Sequence, residues 1–530
     1  MKAGKLLVWI FFIALLACVL LLFYRASVAT MMNSDGHWLG TLVVNFSAGP
    51  DEKLYLPGHT FLVKLPFVIL VYKLLGNNQM SFHIVNVAND LTWFLICILV
   101  ILHFNRLNGS AITRIAMFAA IVVSSDAFFV DTGMATVRQS EYGFAFVLFL
   151  LCARYLAGSG GPGTRSTTIS SLGVIAVFGF ALTLSDELFL AAYVLPVLLL
   201  VLVVSVRFSD GEIRFRCARR SVALALAVAV SALCATLILR SIGNMSNARL
   251  AIAGNASFRL NTFEGLVKSL GITTRAVIDY LGGDIWGKTP SPSVLLQLLT
   301  LSMGLCGLTL GVHYLFSRAA QAGSDITDNG GDLERQHFLF LLCGSLAFLL
   351  ATYTITSFSQ QEMTNRYVAA TPIVVALFTS LYFEGGRLKR HWKWVLPLCI
   401  VILVANTYRL SSELKSRAPN MSYYNALSKI ITDSNLKVGL AGYWNASSTA
   451  FLTEADDLII PALDCDGWRY AGVESFFSRT PDFLLVDRNG ENKRAWEGCS
   501  DEQLAERYGA PKRTYVLKKG ADTVEVRVLK

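Results

Sequence analysis

The sequence predicts an α-helical polytopic membrane protein of about eleven transmembrane helices with a C-terminal soluble α/β domain. Three observations predict it. Of the 530 residues, 54% are hydrophobic and only 16% charged, with a mean hydropathy of +0.51, whereas soluble domains carry about 25% charged residues. Apolar runs recur at the ~17–25 residues that a helix needs to cross about 30 Å of hydrocarbon. Near residue 410 they give way to short apolar runs alternating with polar helical patterns.

The runs fall at residues 6–24, 82–104, 113–130, 142–158, 168–184, 188–206, 221–239, 293–316, 337–358, 367–383 and 394–408. The first follows Lys2 and Lys5, as the core of a signal peptide would. It exceeds the usual core of about 7–15 residues and lacks a clean small-x-small cleavage site, so it reads as a retained helix. External loop 25–81 follows, and its stretch 59–75 is apolar but interrupted by Lys64, Pro66 and Lys73. As a span it would bury Lys64 at about 2.5–3.5 kcal/mol and reverse every later loop. It therefore reads as an interfacial helix that keeps both lysines in the headgroup layer. The later external segments are 131–141, a tight hairpin at Ser185-Asp186-Glu187, the long loop 240–293 with an amphipathic helix at 262–282, and 357–367.

Basic residues set the orientation. Lys2 and Lys5, Arg106 and Arg114, Arg154 and Arg165, the five arginines 207, 214, 216, 219 and 220, Arg318 and Arg335, and finally Arg387, Lys389, Arg390 and Lys393 occupy alternate loops. The short loops between are nearly devoid of Lys and Arg, which places the N-terminus in the cytoplasm and the C-terminus in the periplasm of a bacterial inner membrane. The net charge of +9 is then a topology signal rather than a nucleic-acid patch. Residues 1–409 form the transmembrane domain, and 410–530 an extracytoplasmic α/β domain of about 120 residues. Seven of the ten cysteines lie inside apolar runs and Cys217 in a cytoplasmic loop. The exported tail holds only Cys465 and Cys499, which reads as one disulfide in an oxidising compartment or as two unrelated thiols.

Candidate chemistry gathers on external segments. Asp35, in Met31-Met32-Asn33-Ser34-Asp35-Gly36-His37-Trp38, reads as a general base at the membrane surface or as a solvated loop aspartate or helix N-cap. Arg138 and Glu141 stand at the mouth of the fourth span. They either pair with each other at i, i+3 or meet an anionic phosphate and orient it. Arg366, beside Tyr367 at the tenth span, suits bidentate phosphate binding or snorkelling to headgroups. His37 and His59 share the first loop with Asp51 and Glu52; together they could build a metal site, but no ligand spacing supports one, so no cofactor is expected while a divalent metal stays an open alternative. Trp444, Asp464, Asp466 and Trp468 read as a carbohydrate-binding surface or as ordinary core and loop. Asp126 is the acidic residue well inside an apolar run.

This arrangement resembles the GT-C-type integral membrane glycosyltransferases, the class of the protein O-mannosyltransferases and of the aminoarabinose transferases that act on lipid A. The likeness is greatest over residues 1–160. It rests on Asp35 after the first span, and on Tyr55-Leu56-Pro57-Gly58-His59-Thr60-Phe61-Leu62 through Lys73-Leu74-Leu75-Gly76 before the second. Thr136-Val137-Arg138-Gln139-Ser140-Glu141 before the fourth span and Asn365-Arg366-Tyr367 at a late one complete it. The departure is Gly36 where many members carry a second acidic residue after the first.

The resemblance implies transfer of a sugar from a polyprenyl-phosphate donor, with inversion, to a glycan, lipid or protein acceptor at the outer face, amid membrane lipids. Asp35 and Glu141 would be catalytic, Arg138 and Arg366 would hold the donor phosphate, and His37, His59 and Tyr367 would contact acceptor or sugar. Two rival classes are a lipid-linked glycan polymerase or ligase, leaning on loop 240–293, and a lipid or glycan transporter, which would show charged or broken helices near the midplane and paired halves.

Overall fold

The computed structural model describes residues 3–31, 37, 40, 43, 54–57, 62–105, 109–133, 138–158, 165–209, 212–215, 219–243, 248–251, 259–285, 287–320, 330–360, 367–382, 385–419, 421–453, 458–463, 465–467, 472–487, 495–519 and 522–530. The bundle contains α1 (Ala3–Ala29), α2 (Leu65–Leu75), α3 (Gln79–Phe104), α4 (Gly109–Val122), α5 (Asp126–Thr132), α6 (Gln139–Ala157), α7 (Arg165–Ser185), α8 (Leu195–Ser205), α9 (Arg219–Gly243), α10 (Phe263–Tyr280), α11 (Pro292–Ala320), α12 (Gly330–Ile355), α13 (Thr371–Tyr382) and α14 (Gly385–Ser416). Among the described residues, seven helices are long and apolar enough to cross a membrane, and five further apolar helices are shorter. The chain is a helical, multi-pass membrane protein with a small C-terminal sheet.

Breaks in the apolar runs have local causes. The third run divides because Ser125 caps α5, its side chain accepting from Phe128 N at 3.1 Å, which satisfies an orphan donor of the new helix. A π-turn at Leu190–Val194 precedes α8. Helices α3 and α6 approach closely at Gly143, where a Cβ would lie 3.0 Å from the Trp93 Cα.

Helix registers set the level of the membrane mouth. Ser140 in the first turn of α6 bonds Asn89 at 2.7 Å, so α6 begins level with a residue ten positions into α3. The first ten residues of α3 thus project about 15 Å beyond the start of α6, at 1.5 Å per residue. On this projection packs α2, burying Val68, Val71 and Tyr72 and exposing Phe67, Leu70 and Leu74. At 11 residues, or about 16 Å, it is too short to span. Lys73 is exposed, but the headgroup placement of Lys64 is overturned, because that side chain is buried against Glu141.

At the opposite end, Arg114 and Arg335 are buried and donate to carbonyls at the C-terminus of α13, Arg114 to Ser380 O at 2.8 Å and both to Leu381 O. These two arginines cap a helix whose last carbonyls would otherwise lack partners.

The C-terminal part is a six-stranded mixed sheet in the order β10-β11-β9-β5-β6-β7. Its strands are β5 (Val438–Gly442), β6 (Leu458–Leu463), β7 (Asp466–Gly467), β9 (Phe483–Asp487), β10 (Arg513–Lys519) and β11 (Asp522–Val528), with β5 parallel to β6 and β9. One of its cores, with Tyr424, Leu427, Phe451 and Val526, takes in Met31 after α1 and Phe82 of α3, so the sheet domain is seated on the bundle. Helix α14 has 32 residues, about 48 Å, and so leaves about 30 Å of hydrocarbon and reaches that domain. Arg409 of α14 donates to Ser124 O at 2.6 Å, and Arg417 beyond it pairs with Asp126 at 2.7 Å. Asp126 is therefore a helix-start residue with a cation partner.

Strands β2 (Val206–Ser209) and β3 (Glu212–Phe215) form a short antiparallel pair after α8, and a further sheet joins three distant segments. Strand β1 (Leu54–Pro57) pairs in parallel with β4 (Ala248–Ala251) and antiparallel with β8 (Gly472–Val473) of the C-terminal domain. Loops 25–81 and 240–293 and the C-terminal domain therefore lie on one side of the bundle.

Cys465 and Cys499 form a disulfide with Cα atoms 5.9 Å apart and a sequence separation of 34. A loop of that size corresponds to about 3–4 kcal/mol. Cys499→Ser is expected to lower the thermal transition of the C-terminal domain, while reductant lowers it in the parent protein and leaves the variant unchanged.

Candidate functional site

Five ionisable side chains converge at the mouth where α3, α6, the turn after α7 and the approach to α13 meet. Lys64 Nζ lies 3.2 Å from Glu141 Oε2, with both side chains buried, and donates to Asn89 Oδ1 at 3.4 Å. Ser140 bridges the pair, donating to Asn89 Oδ1 at 2.7 Å and to Glu141 Oε2 at 3.0 Å. Asp90 Oδ1 accepts from Asn89 and from the Trp93 indole, each at 3.4 Å. Arg138 pairs through Nε with Asp186 Oδ2 and lies over the Tyr367 ring, 4.2 Å from its centroid. Asp186 is held in turn by Leu188 N at 2.8 Å, and the backbone before Lys64 is tied to the end of α7 by Val63 N donating to Ser185 Oγ at 3.2 Å.

The mutual pairing of Arg138 and Glu141 is overturned. Arg138 caps α6 and Glu141 lies in its first turn, and each takes a partner from a remote segment, Asp186 and Lys64 respectively. The hairpin at Ser185-Asp186-Glu187 is likewise more than a connection, because its aspartate is buried in an ion pair. Burial pushes the Lys64 ammonium below its usual pKa, with Glu141 working against that. For Arg138 burial is the largest single effect and also opposes the charge, but Asp186, Tyr367 and Tyr142 together outweigh it and the guanidinium is held more firmly protonated.

Asp90 joins Asp126 as an acidic residue within an apolar run, and it is 1% exposed. A sequence signal for it exists: Asn86, Asn89 and Asp90 recur at i, i+3 and i+4, a polar stripe on one face of an apolar helix. Among the described residues, Asp90 Oδ2, Glu141 Oε1 and both amide atoms of Gln139 are buried without a hydrogen-bond partner. Buried polar atoms are satisfied in more than about 90% of cases, so this concentration marks a place built for a polar ligand or water. A groove of about 310 Å³ between α1 and α3 is lined by apolar residues including Trp9, Phe12, Phe94 and Ile98, away from this cluster.

The other expected site residues divide. Asp35, His59 and Arg366 lie outside the described residues, as do Asp51, Glu52, Asp464 and Trp468. Tyr367 is under Arg138. Asp466 pairs with Arg507. His37 is 1% exposed, its ring between Phe82 and Phe451 at 4.4 and 4.2 Å and its Nε2 2.7 Å from Met31 O. It fastens the C-terminal domain to the bundle rather than facing an open surface.

Burial lowers the His37 pKa from 6.5 to about 4. Between those values the unfolded chain takes up a proton that the folded chain refuses. Stability is therefore full above the unfolded value and declines as pH falls towards the folded one. His37→Leu is expected to flatten this acid limb in melting curves recorded from pH 7 to pH 4.

No family model matches this chain, and no curated protein is significantly similar to it.

Proposed function

We propose that the protein is a GT-C-type membrane glycosyltransferase that moves a sugar from a polyprenyl-phosphate donor to an acceptor at the outer face of a bacterial inner membrane. The observation that carries this reading is the buried cluster of Lys64, Arg138, Glu141 and Asp186 beside Tyr367, with unpartnered polar atoms on Asp90, Gln139 and Glu141. Intramembrane and mouth-level charges are costly and mark functional sites. Here they combine fixed cations, suited to a phosphate leaving group, with carboxylates and an amide suited to sugar hydroxyls. The cluster lies on the side that carries loop 25–81, loop 240–293 and the C-terminal domain. The disulfide of that domain suits an oxidising compartment, and the basic loops put the same side outside.

In the proposed reaction Asp35 takes the proton of the acceptor hydroxyl as its oxygen attacks the anomeric carbon with inversion, and the carbon–phosphate oxygen bond breaks to release polyprenyl phosphate. Arg138 and Arg366 stabilise the phosphate as its charge develops. Asp35→Asn, inserted normally in membranes, is expected to abolish release of polyprenyl phosphate from a labelled donor; near-normal release would remove Asp35 as the base. A reporter fused after Lys530 is expected outside the cytoplasm, and a cytoplasmic signal would overturn the sidedness.

A further inference from the structure

Helix α10 has three faces. Ser269, Thr273, Ala276, Val277 and Tyr280 are buried; Thr354 donates to Thr273 at 3.0 Å and Tyr280 to Asp131 at 2.6 Å. A second face, with Glu264, Lys268 and Arg275, is charged and exposed. The third carries Phe263, Val267 and Leu270, which are 83%, 58% and 57% exposed and fall on one stripe at i, i+4 and i+7.

What lies over that stripe follows from where the helix is anchored. Its approach is stitched to the end of α12, a helix long and apolar enough to span, by Asn261 N donating to Ile355 O at 2.9 Å and Ser357 N to Arg259 O at 2.8 Å. The side chain of Asn261 adds bonds to Thr354 O and Thr356 O at 2.9 and 2.8 Å. The N-terminus of α10 is thereby fixed at the level where α12 leaves the hydrocarbon. Just beyond its C-terminus, Leu281 meets α11 at Gly304, and α11 exposes Leu295, Leu298 and Leu299. The stripe thus continues the lipid-facing belt of the bundle, with a charged face turned from it, which is how a helix lies in a membrane interface.

We propose that α10 seats Phe263, Val267 and Leu270 among the acyl chains of the leaflet on the side of the C-terminal domain, leaving Lys268 and Arg275 in the headgroup layer. This seat is independent of the enzymatic reading. The amide of Gln360 donates to Asn261 Oδ1, Gly265 O and Ser269 Oγ at 3.1, 3.0 and 3.2 Å. The turn Ser357–Gln360 is therefore fastened to the seated helix.

The test uses the full chain with Cys18, Cys217, Cys234 and Cys306 replaced by alanine, reconstituted in phosphatidylethanolamine–phosphatidylglycerol vesicles. Spin labels at Val267→Cys and Leu270→Cys are compared with one at Lys268→Cys for collision with oxygen, which concentrates in the bilayer, and with a water-soluble nickel chelate. The expected result is an oxygen-to-nickel ratio several-fold higher at positions 267 and 270 than at 268. Equal ratios at all three would place the stripe in water and overturn the proposal. Shielding of 267 and 270 from both reagents would overturn it in favour of a protein partner or a second copy of the chain.

Discussion

Lys64→Met is expected to destabilise the protein by about 3–5 kcal/mol, the cost of leaving a buried charge without its partner. Lys64 and Glu141 lie 3.2 Å apart with 7% and 1% of their side chains exposed. The methionine fills much of the lysine's volume, so the loss comes from stranding the Glu141 carboxylate, one of whose oxygens already lacks a hydrogen-bond partner. Replacing both members with apolar residues removes the stranded charge, and such exchanges are often neutral or stabilising by about 1–4 kcal/mol. The double variant Lys64→Met with Glu141→Met is therefore expected to melt near the parent temperature in detergent, well above either single variant. A single Lys64→Met protein that melts like the parent would show that the pair is solvated. Under the proposed function the double variant is well folded yet fails to transfer sugar, which separates the role of Glu141 in chemistry from its role in packing.

Arg138→Lys is expected to lower transfer by about 10²–10³-fold, the usual effect of removing one preorganised donor from a developing charge. The substitution keeps the positive charge, so the buried Asp186 retains a counter-ion and insertion is expected to be normal. What it removes is the planar fork, which bonds Asp186 while its face rests on the Tyr367 ring 4.2 Å away. An ammonium is a compact point charge and reproduces neither the stacking nor bidentate phosphate binding. Transfer would be followed as polyprenyl phosphate released from a labelled donor in lipid. Near-parental rates would reduce the Arg138–Asp186 pair to a structural clasp and leave the phosphate role without support.

Much of the fold was legible because membrane insertion is a local property. Each apolar run had to satisfy its own backbone hydrogen bonds in hydrocarbon, so position was written in consecutive residues and the structured helices fall on the runs, although seven of them and not about eleven are long and apolar enough to span among the described residues. The change near residue 410 was legible for the same reason, although α14 carries the helix on to Ser416. The site was legible only as single residues. Glu141 and Arg138 were visible as charges at the edge of a span, but their partners were not. Lys64 is 77 residues from Glu141 and Asp186 is 48 from Arg138. At such separations periodicity is silent, and the i, i+3 neighbour was the nearer and wrong choice. His37 read as a first-loop residue that would contact acceptor or sugar, because its stacking partners, Phe82 and Phe451, come from remote segments of the chain.

By itself the sequence determined that the chain is helical and multi-pass, where its apolar helices lie, and that a part built of short strands and polar helices follows them. These follow from local hydrophobicity and from the number of residues needed to cross a bilayer. Only the tertiary structure decided which buried charges neutralise one another, that two loops and the terminal domain share one sheet, and that the domain is seated on the bundle. A buried charge is tolerated only beside its opposite, and that constraint is met by whichever segment the packing of helices brings within about 4 Å, a distance that order along the chain does not encode.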